Sequence, residues 1–160
     1  MSNDDTAERG TAAAVGHHQV VPVHFGDLDS FGMVHHGQYA ALFERGITSY
    51  WMERGVSFDR AKSQIADVLQ VVRKMEITYD MPITEVGEVQ VHFWIDRMGR
   101  TSYTYGFRVL SKDRAVVHAT GQRIQVNLDP VTLRPTPFGE GARAAALPLM
   151  RASESPASES

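Results

Sequence analysis

Residues 38–54, QYAALFERGITSYWMER, predict the one long helix of this chain. Apolar side chains recur in this stretch at spacings of three and four residues, which places them on one broad face of a helix. These residues are Tyr39, Leu42, Phe43, Gly46, Ile47, Tyr50 and Trp51. Gly55 follows directly and supplies the expected C-terminal stop. Because such a face has to be buried, the fold must provide a second layer against it.

The segments around this helix have the two-residue period and the β-branched content of strands. HQVVPVHF, residues 18–25, is predicted to be the first strand, and its proline suits an edge. After the helix, residues 57–64 are predicted to form a second, short helical turn with Ser57 as its cap. Four further strands are then predicted, at residues 68–80, 89–96, 102–110 and 115–128. The order indicates an α+β fold in which one long antiparallel sheet wraps around one central helix.

Composition limits both the architecture and the possible partners. A chain of 160 residues fits one domain, expected at residues 17–148, between disordered tails at 1–16 and 149–160. The net charge of −3, with no block of basic residues, argues against nucleic acid. The absence of cysteine excludes disulfides, thiolate catalysis and Cys-ligated zinc. With neither a signal peptide nor a membrane-spanning run, a soluble cytoplasmic protein is expected.

The loop in front of the helix carries the candidate catalytic groups. FGDLDSFGMVHHG, residues 25–37, places two aspartates and two histidines just before the helix start. A helix start presents unpaired N–H groups and a partial positive charge, which stabilise an oxygen that becomes negative. The N–H groups of His36 and Gly37 are therefore expected to hold an oxyanion. Asp27 or Asp29 would face them, and attack a carbonyl or activate water.

These residues also have plainer interpretations. An aspartate that follows a strand is commonly a turn former or a cap, and paired histidines before a helix are commonly hydrogen-bonded locally. Zinc binding by Asp29, His35 and His36 is disfavoured because adjacent histidines are poorly placed to face one ion, so we expect no metal. Glu44 lies on the helix flank away from the apolar stripe, where a salt bridge to Lys or Arg is its simplest role.

The loop and helix together resemble a known family. The spacing Asp29-x-x-Gly32-x-Val34-x-His36-x-x-Tyr39, followed by LFERGITSYWMERGVSF, resembles the opening motif and central helix of the hotdog-fold acyl-CoA thioesterases, in particular the 4-hydroxybenzoyl-CoA thioesterase and YbgC-like group. The resemblance continues through MEITYDMPITEVGEVQV, GRTSYTYGFRV and NLDPVTLRPTPF, and covers about residues 18–138. It implies a single hotdog domain, which agrees with the architecture that the periodicity predicts.

The resemblance implies a role for each motif residue. Asp29 occupies the place of the catalytic carboxylate, which acts as nucleophile or as general base on water. His36 lies where the backbone N–H at the helix start polarises the thioester carbonyl, and where a histidine side chain assists in the YbgC-like branch. Tyr39 matches the motif tyrosine and is expected to position the site. Asp27 precedes the motif and is expected to be structural.

Three further features are assigned from the resemblance. Arg100, Thr101 and Ser102 fall in a turn similar to the one that often meets the nucleotide of CoA. Glu44 matches a glutamate common in the YbgC-like branch and is kept as a second candidate for the catalytic carboxylate, because another hotdog thioesterase group uses a helix carboxylate. His35 stands where relatives frequently have Tyr or Trp, which leaves the acyl specificity open.

The expected reaction is the hydrolysis of an acyl-CoA thioester to a free acid and CoA, without a cofactor. A thioester carbonyl is electrophilic and its thiolate leaves readily, so a carboxylate is a sufficient catalyst if the oxyanion is held. Two alternatives stay open at this point. One is a thioesterase for an acyl group on an acyl carrier protein, and the other is a non-catalytic hotdog domain that binds acyl thioesters. A homodimer or homotetramer is expected, with sites between subunits.

Overall fold

Five antiparallel strands form one sheet in this computed structural model, which describes residues 15–67 and 69–151. The strands are β1 (His17–Val23), β2 (Gln70–Tyr79), β3 (Gly87–Met98), β4 (Ser102–Ser111) and β5 (Val117–Asn127). They lie in the order β1-β3-β4-β5-β2, and each neighbouring pair is antiparallel. The predicted strands are therefore confirmed within a few residues at their ends. Residue 68 of the predicted second strand, and residues 1–14 and 152–160 of the predicted tails, lie outside the described residues.

The long helix α1 (Tyr39–Glu53) packs on the inner face of this sheet, as the apolar stripe predicted. Six residues of the stripe are buried and Trp51 is half-buried. Phe43 stacks on Phe107 of β4 with ring centroids 4.3 Å apart. At Gly46 an added Cβ would meet Val91 at 3.0 Å, so glycine allows the helix to approach β3 closely. The hotdog architecture, a long sheet around one helix, is confirmed.

The helix ends where the sequence predicted, because Gly55 adopts a left-handed conformation with φ +90°. The short helical turn predicted for residues 57–64 is wrong. That segment consists of turns and bends, in which the Ser57 hydroxyl accepts a hydrogen bond from the N–H of Asp59 at 3.2 Å. The serine thus closes a local turn and does not start a helix. Among the described residues, no helix combines the length and apolarity needed to cross a membrane.

A C-terminal segment, for which no helix was predicted, covers one end of the core between the sheet and α1. It comprises α2 (Glu140–Ala146) and a turn of 3-10 helix (Leu147–Leu149). Leu149 is 1% exposed and Met150 bridges to Ile95 of β3, so the packed chain continues past residue 148. Asp67 holds this segment in place, since its carboxylate accepts hydrogen bonds from the Gly139 N–H (2.7 Å) and the Asn127 amide (2.9 Å).

The two ends of the sheet have different neighbours. Tyr39, at the helix start, packs edge-on against Tyr79, the last residue of β2, with centroids 5.1 Å apart. Near the helix end, the indole N–H of Trp51 donates to the Tyr105 hydroxyl at 2.6 Å. The helix therefore runs from the end where β2 finishes towards the turn between β3 and β4. That turn lies roughly 23 Å along β4 from the level of the helix start.

The outer face of the sheet buries a histidine of β3. His92 of β3 is 0% exposed, and its ring stacks on His18 of β1 at 4.0 Å with planes 4° apart. Its Nε2 is 2.6 Å from the carbonyl of Val15, and Nδ1 accepts from the Arg108 guanidinium at 2.9 Å. Burial lowers the pKa of both histidines to about 4, and the neighbouring arginines act in the same direction.

Candidate active site

The loop between β1 and α1 folds back on itself as a narrow two-stranded hairpin. Leu28 bridges Val34, the N–H of Asp29 donates to the carbonyl of Met33 at 2.7 Å, and the N–H of His35 donates to the carbonyl of Asp27 at 2.9 Å. Residues 30–32 form the tip, where Gly32 has φ +74° and takes a conformation that favours glycine. The hairpin therefore brings the two aspartates alongside the segment that leads into the helix.

Asp27 anchors this hairpin to the helix and is structural, as expected. Its carboxylate accepts hydrogen bonds from both terminal nitrogens of the Arg45 guanidinium, at 2.8 and 2.9 Å, and also from the N–H of His24 at 2.8 Å. Arg45 donates a further bond to the carbonyl of Pro22 at 3.0 Å. The hydrogen bond from Arg45 lowers the pKa of Asp27 below its ordinary value. A two-pronged pair of this kind fixes geometry as well as charge.

Asp29 lies half-buried at the base of the hairpin tip. Its Oδ1 accepts the N–H groups of Phe31 at 2.9 Å and Met33 at 3.2 Å, which is the turn-forming role named as the plain interpretation. Its Oδ2 has no hydrogen-bond partner within residues 15–67 and 69–151. One oxygen thus orients the carboxylate while the other is left for a ligand or water.

The start of the helix offers one backbone donor, where the sequence predicted two. A turn of 3-10 helix (His36–Gln38) precedes α1, and His35 caps it because its Nδ1 accepts the N–H of Gly37 at 3.1 Å. The expectation that Gly37 also points its N–H into the site is therefore wrong. The N–H of His36 has no acceptor among the described residues, so it is the donor at the positive end of the helix. The exposed rings of His35 and His36 lie 4.1 Å apart.

Two tyrosines hold this helix start in place. Tyr39 is 3% exposed, and burial raises the pKa of its phenol. Its ring packs against Tyr79, whose hydroxyl donates to the carbonyl of His36 at 3.2 Å. These contacts agree with the positioning role expected of Tyr39. Tyr79 was not among the residues predicted for the site. It lies at the end of a strand forty residues after Tyr39, where the local sequence gives no indication of a site.

Glu44 makes the salt bridge that was its simplest expected role. Its carboxylate pairs with Arg123 of β5, which is 3% exposed although the Glu44 side chain is 55% exposed. The Arg123 guanidinium also donates to the Gln125 side-chain oxygen, at 2.6 Å from Nη2 and 3.1 Å from Nε. It lies over the rings of Phe43 and Tyr105, at 4.7 and 6.0 Å from their centroids. This buried cation was not among the sequence candidates.

Arg123 lines a cavity of about 140 Å³ between α1, the inner face of the sheet and α2, which opens to the surface beside Met52 and Phe58. The walls are largely apolar, and include Ile47, Trp51, Ile95, Met98, Phe138 and Ala142. Polar atoms gather on one side, where Gln70 accepts from the Tyr103 hydroxyl and Gln125 stands beside Arg123. The cavity is thus apolar with one polar wall.

The third predicted group, Arg100, Thr101 and Ser102, lies in the turn at the opposite end of the sheet. The carbonyl of Arg100 accepts the N–H of Phe138 at 3.0 Å, and Arg143 donates to the same carbonyl at 3.3 Å. The Arg100 side chain is exposed and makes no salt bridge with the described residues. Asp29 lies on the hairpin, His36 and Tyr39 lie at the helix start, and this turn lies roughly 23 Å from the level of the helix start within one chain.

The arrangement at the helix start can perform acyl chemistry. A carboxylate with one open oxygen stands on the hairpin that leads into a helix whose first N–H is unpaired. A carbonyl placed between them would be polarised by the N–H and attacked from the carboxylate side. Within the described parts of the chain, no cluster of three or more His, Cys, Asp or Glu could hold a metal ion.

Comparisons with known proteins point to one family. A family model described as the thioesterase superfamily matches residues 31–118, more than half of the chain. The acyl-CoA thioester hydrolase YbgC of Escherichia coli is 28% identical over 115 residues, which are 72% of this chain and 84% of that protein.

Solved structures agree in fold. The PA5185 protein of Pseudomonas aeruginosa superposes with a TM-score of 0.75 at 22% identity, over 86% of this chain and 94% of that one. A thioesterase from Thermus thermophilus, solved in complex with coenzyme A and Zn, gives a TM-score of 0.66 at 26% identity, over 82% of this chain and 92% of that one.

Proposed function

Because this chain belongs to the thioesterase superfamily, we propose that it hydrolyses an acyl-CoA thioester to a free acid and CoA. The relative from Escherichia coli carries the name acyl-CoA thioester hydrolase, and the thioesterase from Thermus thermophilus was solved with coenzyme A. The observation in this chain that carries the proposal is the unpaired N–H of His36 beside the Asp29 hairpin. It supplies what a thioesterase without a serine nucleophile requires, a carboxylate and an oxyanion donor in one place.

In the proposed reaction, the thioester carbonyl accepts a hydrogen bond from the His36 N–H. Asp29 either attacks the carbonyl carbon or takes a proton from a water that attacks it. Negative charge then develops on the carbonyl oxygen, where the helix start stabilises it. Collapse of the tetrahedral intermediate expels the thiolate of CoA. Where water is the attacking group, the free acid forms in this step; where Asp29 attacks, a water molecule then hydrolyses the mixed anhydride on Asp29, which releases the acid and restores the carboxylate. The exposed imidazole of His36 stands on the same residue and is placed to orient water or the leaving thiolate.

The other residues at the helix start hold the His36 N–H in position and do not contact the substrate. His35 uses its ring as a cap and so keeps Gly37 out of the oxyanion site. Tyr39 and Tyr79 fix the helix start against the end of β2, and Tyr79 restrains the peptide that follows His36. Because a misplacement of one ångström at such a site can lower the rate a hundredfold, these contacts matter although none reaches the substrate.

The complete site is proposed to need a second copy of the chain. β2 ends the sheet order, and it exposes apolar side chains that include Val71, Val72 and Tyr79, between 41% and 50% exposed. An exposed apolar edge strand is a natural surface for pairing with an identical strand. A dimer formed there would let the turn at Arg100, Thr101 and Ser102 of one copy approach CoA bound at the helix start of the other.

The proposal is tested by thiol release from a panel of acyl-CoAs, with wild type beside Asp29→Asn. Asparagine can still accept the N–H groups of Phe31 and Met33, so the variant should keep the turn and its stability while it loses the reactive carboxylate. We expect activity to fall by at least about a hundredfold. Asp129→Asn is a matched control, because Asp129 also accepts two backbone N–H groups through Oδ1, those of Val131 and Thr132.

Each outcome of this assay is informative. Turnover that Asp129→Asn retains and Asp29→Asn loses would support both the activity and the role of Asp29. Equal turnover by wild type and Asp29→Asn would refute the assignment of Asp29. If wild type released thiol only from an acyl carrier protein, the substrate would be carrier-bound. Binding of acyl-CoA without release from any substrate would indicate a non-catalytic binding domain.

A further inference from the structure

A row of side chains on β2 spans the interval between the helix start and the level of Arg123 in the cavity wall. Tyr79, Ile77 and Met75 lie on one side of β2 because strand side chains alternate. Tyr79 contacts His36, while Ile77 and Met75 pack against the core, and Met75 pairs with Arg123 across the strands. The interval is about 13 Å long when measured along β2. Measured along the helix, from His36 to the level of Phe43 under Arg123, it is roughly 10 Å.

Arg123 stands at the far end of this row, in the cavity wall, and not all of its N–H donors have a partner among the described residues. A guanidinium is costly to bury unless its charge and its donors are all compensated. Its ionic partner Glu44 is more than half exposed, so that pair is partly solvated. Of the five N–H donors that a guanidinium carries, three point at Glu44 and Gln125, which leaves one on each terminal nitrogen without an acceptor among the described residues.

The charged side chains in the cavity wall determine which kind of ligand atom can accept hydrogen bonds from the free N–H groups of Arg123. The wall carries one cation, Arg123, and two carboxylates, Glu44 and Asp67. A ligand with its own carboxylate would add a second excess negative charge inside a largely apolar space. A hydroxyl or keto oxygen accepts the same N–H donors without that penalty. A cavity near 140 Å³ is also large enough for a ring or a short run of methylene groups.

We propose that this cavity holds the far end of the acyl group, and that Arg123 selects a medium-chain acyl group that carries an uncharged oxygen near that end. The inference rests on the proposed thioesterase function and adds the substrate class. An extended ω-hydroxyoctanoyl chain spans the distance from the helix start to Arg123. A hydroxybenzoyl group, which is shorter, does not.

The test compares three thioesters of one length: octanoyl-CoA, ω-hydroxyoctanoyl-CoA and its ω-carboxy analogue. For wild type we expect kcat/KM to be about tenfold higher with the hydroxyl than without it, which is the effect of one hydrogen bond to a charged donor. The ω-carboxy substrate should be the poorest. Arg123→Met should lose the preference for the hydroxyl, so that its kcat/KM is equal for ω-hydroxyoctanoyl-CoA and octanoyl-CoA. Arg97→Met, an exposed arginine of β3 outside the cavity wall, should leave the preference unchanged.

Calorimetric titration of octanoate and ω-hydroxyoctanoate into wild type and Arg123→Met gives a second readout that needs no turnover. Tighter binding of the hydroxyl form by wild type, lost in the variant, supports the inference even if no acyl-CoA is hydrolysed. That combination would refute the proposed function alone. Turnover of octanoyl-CoA with no preference for the hydroxyl, or with the same preference in Arg123→Met, would overturn the inference and leave the proposed function intact. The wild-type comparisons decide the matter if Arg123→Met does not fold.

Discussion

The pair between Asp27 and Arg45 is expected to couple the stability of this protein to its activity. The Asp27 side chain is 6% exposed and that of Arg45 is 28% exposed, so the pair lies between the buried and the surface cases. Removing one partner of a buried pair costs about 3–5 kcal/mol, whereas exposed pairs contribute about 0.2–1 kcal/mol. For Asp27→Asn we therefore expect a loss of about 2–3 kcal/mol in the free energy of unfolding. In a chain of this size that is a fall of roughly 5–10 °C in Tm.

A double-mutant cycle isolates the pair from the other contacts of each residue. Asp27→Asn keeps the acceptor for the His24 N–H, and Arg45→Gln keeps a donor for the Pro22 carbonyl, so the coupling in denaturant unfolding reports mainly the lost ion pair. We expect a coupling energy of about 2 kcal/mol. The exposed pair of Lys62 and Asp59, with a distance of 3.2 Å and side chains 78% and 50% exposed, serves as the control and should give less than about 0.5 kcal/mol.

The same variants should affect catalysis without touching the substrate. Asp27 ties the hairpin to the helix and Asp29 stands two residues further along it, so a looser anchor should lower kcat about tenfold while KM stays nearly constant. Arg45→Lys, which keeps the charge but loses the second hydrogen bond, should fall between wild type and Arg45→Gln. A coupling energy below about 0.5 kcal/mol together with unchanged kcat would refute the idea that this pair positions the site.

Two further predictions concern the outer face and the turn between β3 and β4. The folded state keeps His18 and His92 neutral down to a pKa of about 4, whereas unfolded histidines take up protons below about pH 6.5. The free energy of unfolding should therefore fall as the pH drops from 6.5 to 4, by up to about 1.4 kcal/mol per pH unit for each histidine. Denaturant melts should show a flatter dependence in His92→Gln than in wild type or His118→Gln, and an unchanged slope would contradict the assignment. Arg100→Ala should raise KM for an acyl-CoA and not for the acyl-N-acetylcysteamine thioester that lacks the nucleotide, and equal effects on both would remove this turn from CoA binding.

The long-range architecture of this chain could be predicted because it follows from local periodicity. The stripe from Tyr39 to Trp51 has the period of a helix, and the strands alternate with the period of a pleated sheet. The alternation of polar and apolar residues failed to predict burial where residues distant in sequence cover a side chain. His92 follows a polar alternation and is nevertheless buried, because the chain around Val15 and the ring of His18 cover it. The helix α2 was missed because its short, alanine-rich stretch has few apolar positions to set a period.

Residues of the candidate site also differ in whether the sequence could predict them, according to how far apart they lie along the chain. Asp29, His36 and Tyr39 could be predicted as site residues because they lie within eleven residues and match the spacing of a known motif. Tyr79 and Arg123 were not, since each reaches the helix from a strand that joins it only after folding. The loss of the Gly37 donor was equally invisible, because a histidine is an unusual cap and the sequence alone does not show which nitrogen will accept a hydrogen bond.

A comparison of two aspartates explains why local chemistry was insufficient to single out Asp29, the proposed catalytic residue. Asp29 and Asp129 make nearly the same turn, in which Oδ1 accepts two backbone N–H groups and the following residues fold back on the aspartate. For Asp129 these N–H groups lower the pKa of the carboxyl, which is ordinary behaviour for an exposed turn. The difference lies in what each turn leads into, because only the hairpin of Asp29 continues into the start of a long helix whose first N–H is unpaired. In the proposed mechanism the reactivity of Asp29 depends on the neighbouring helix start, so His36→Pro, which removes that N–H, should reduce thiol release from acyl-CoA as strongly as Asp29→Asn.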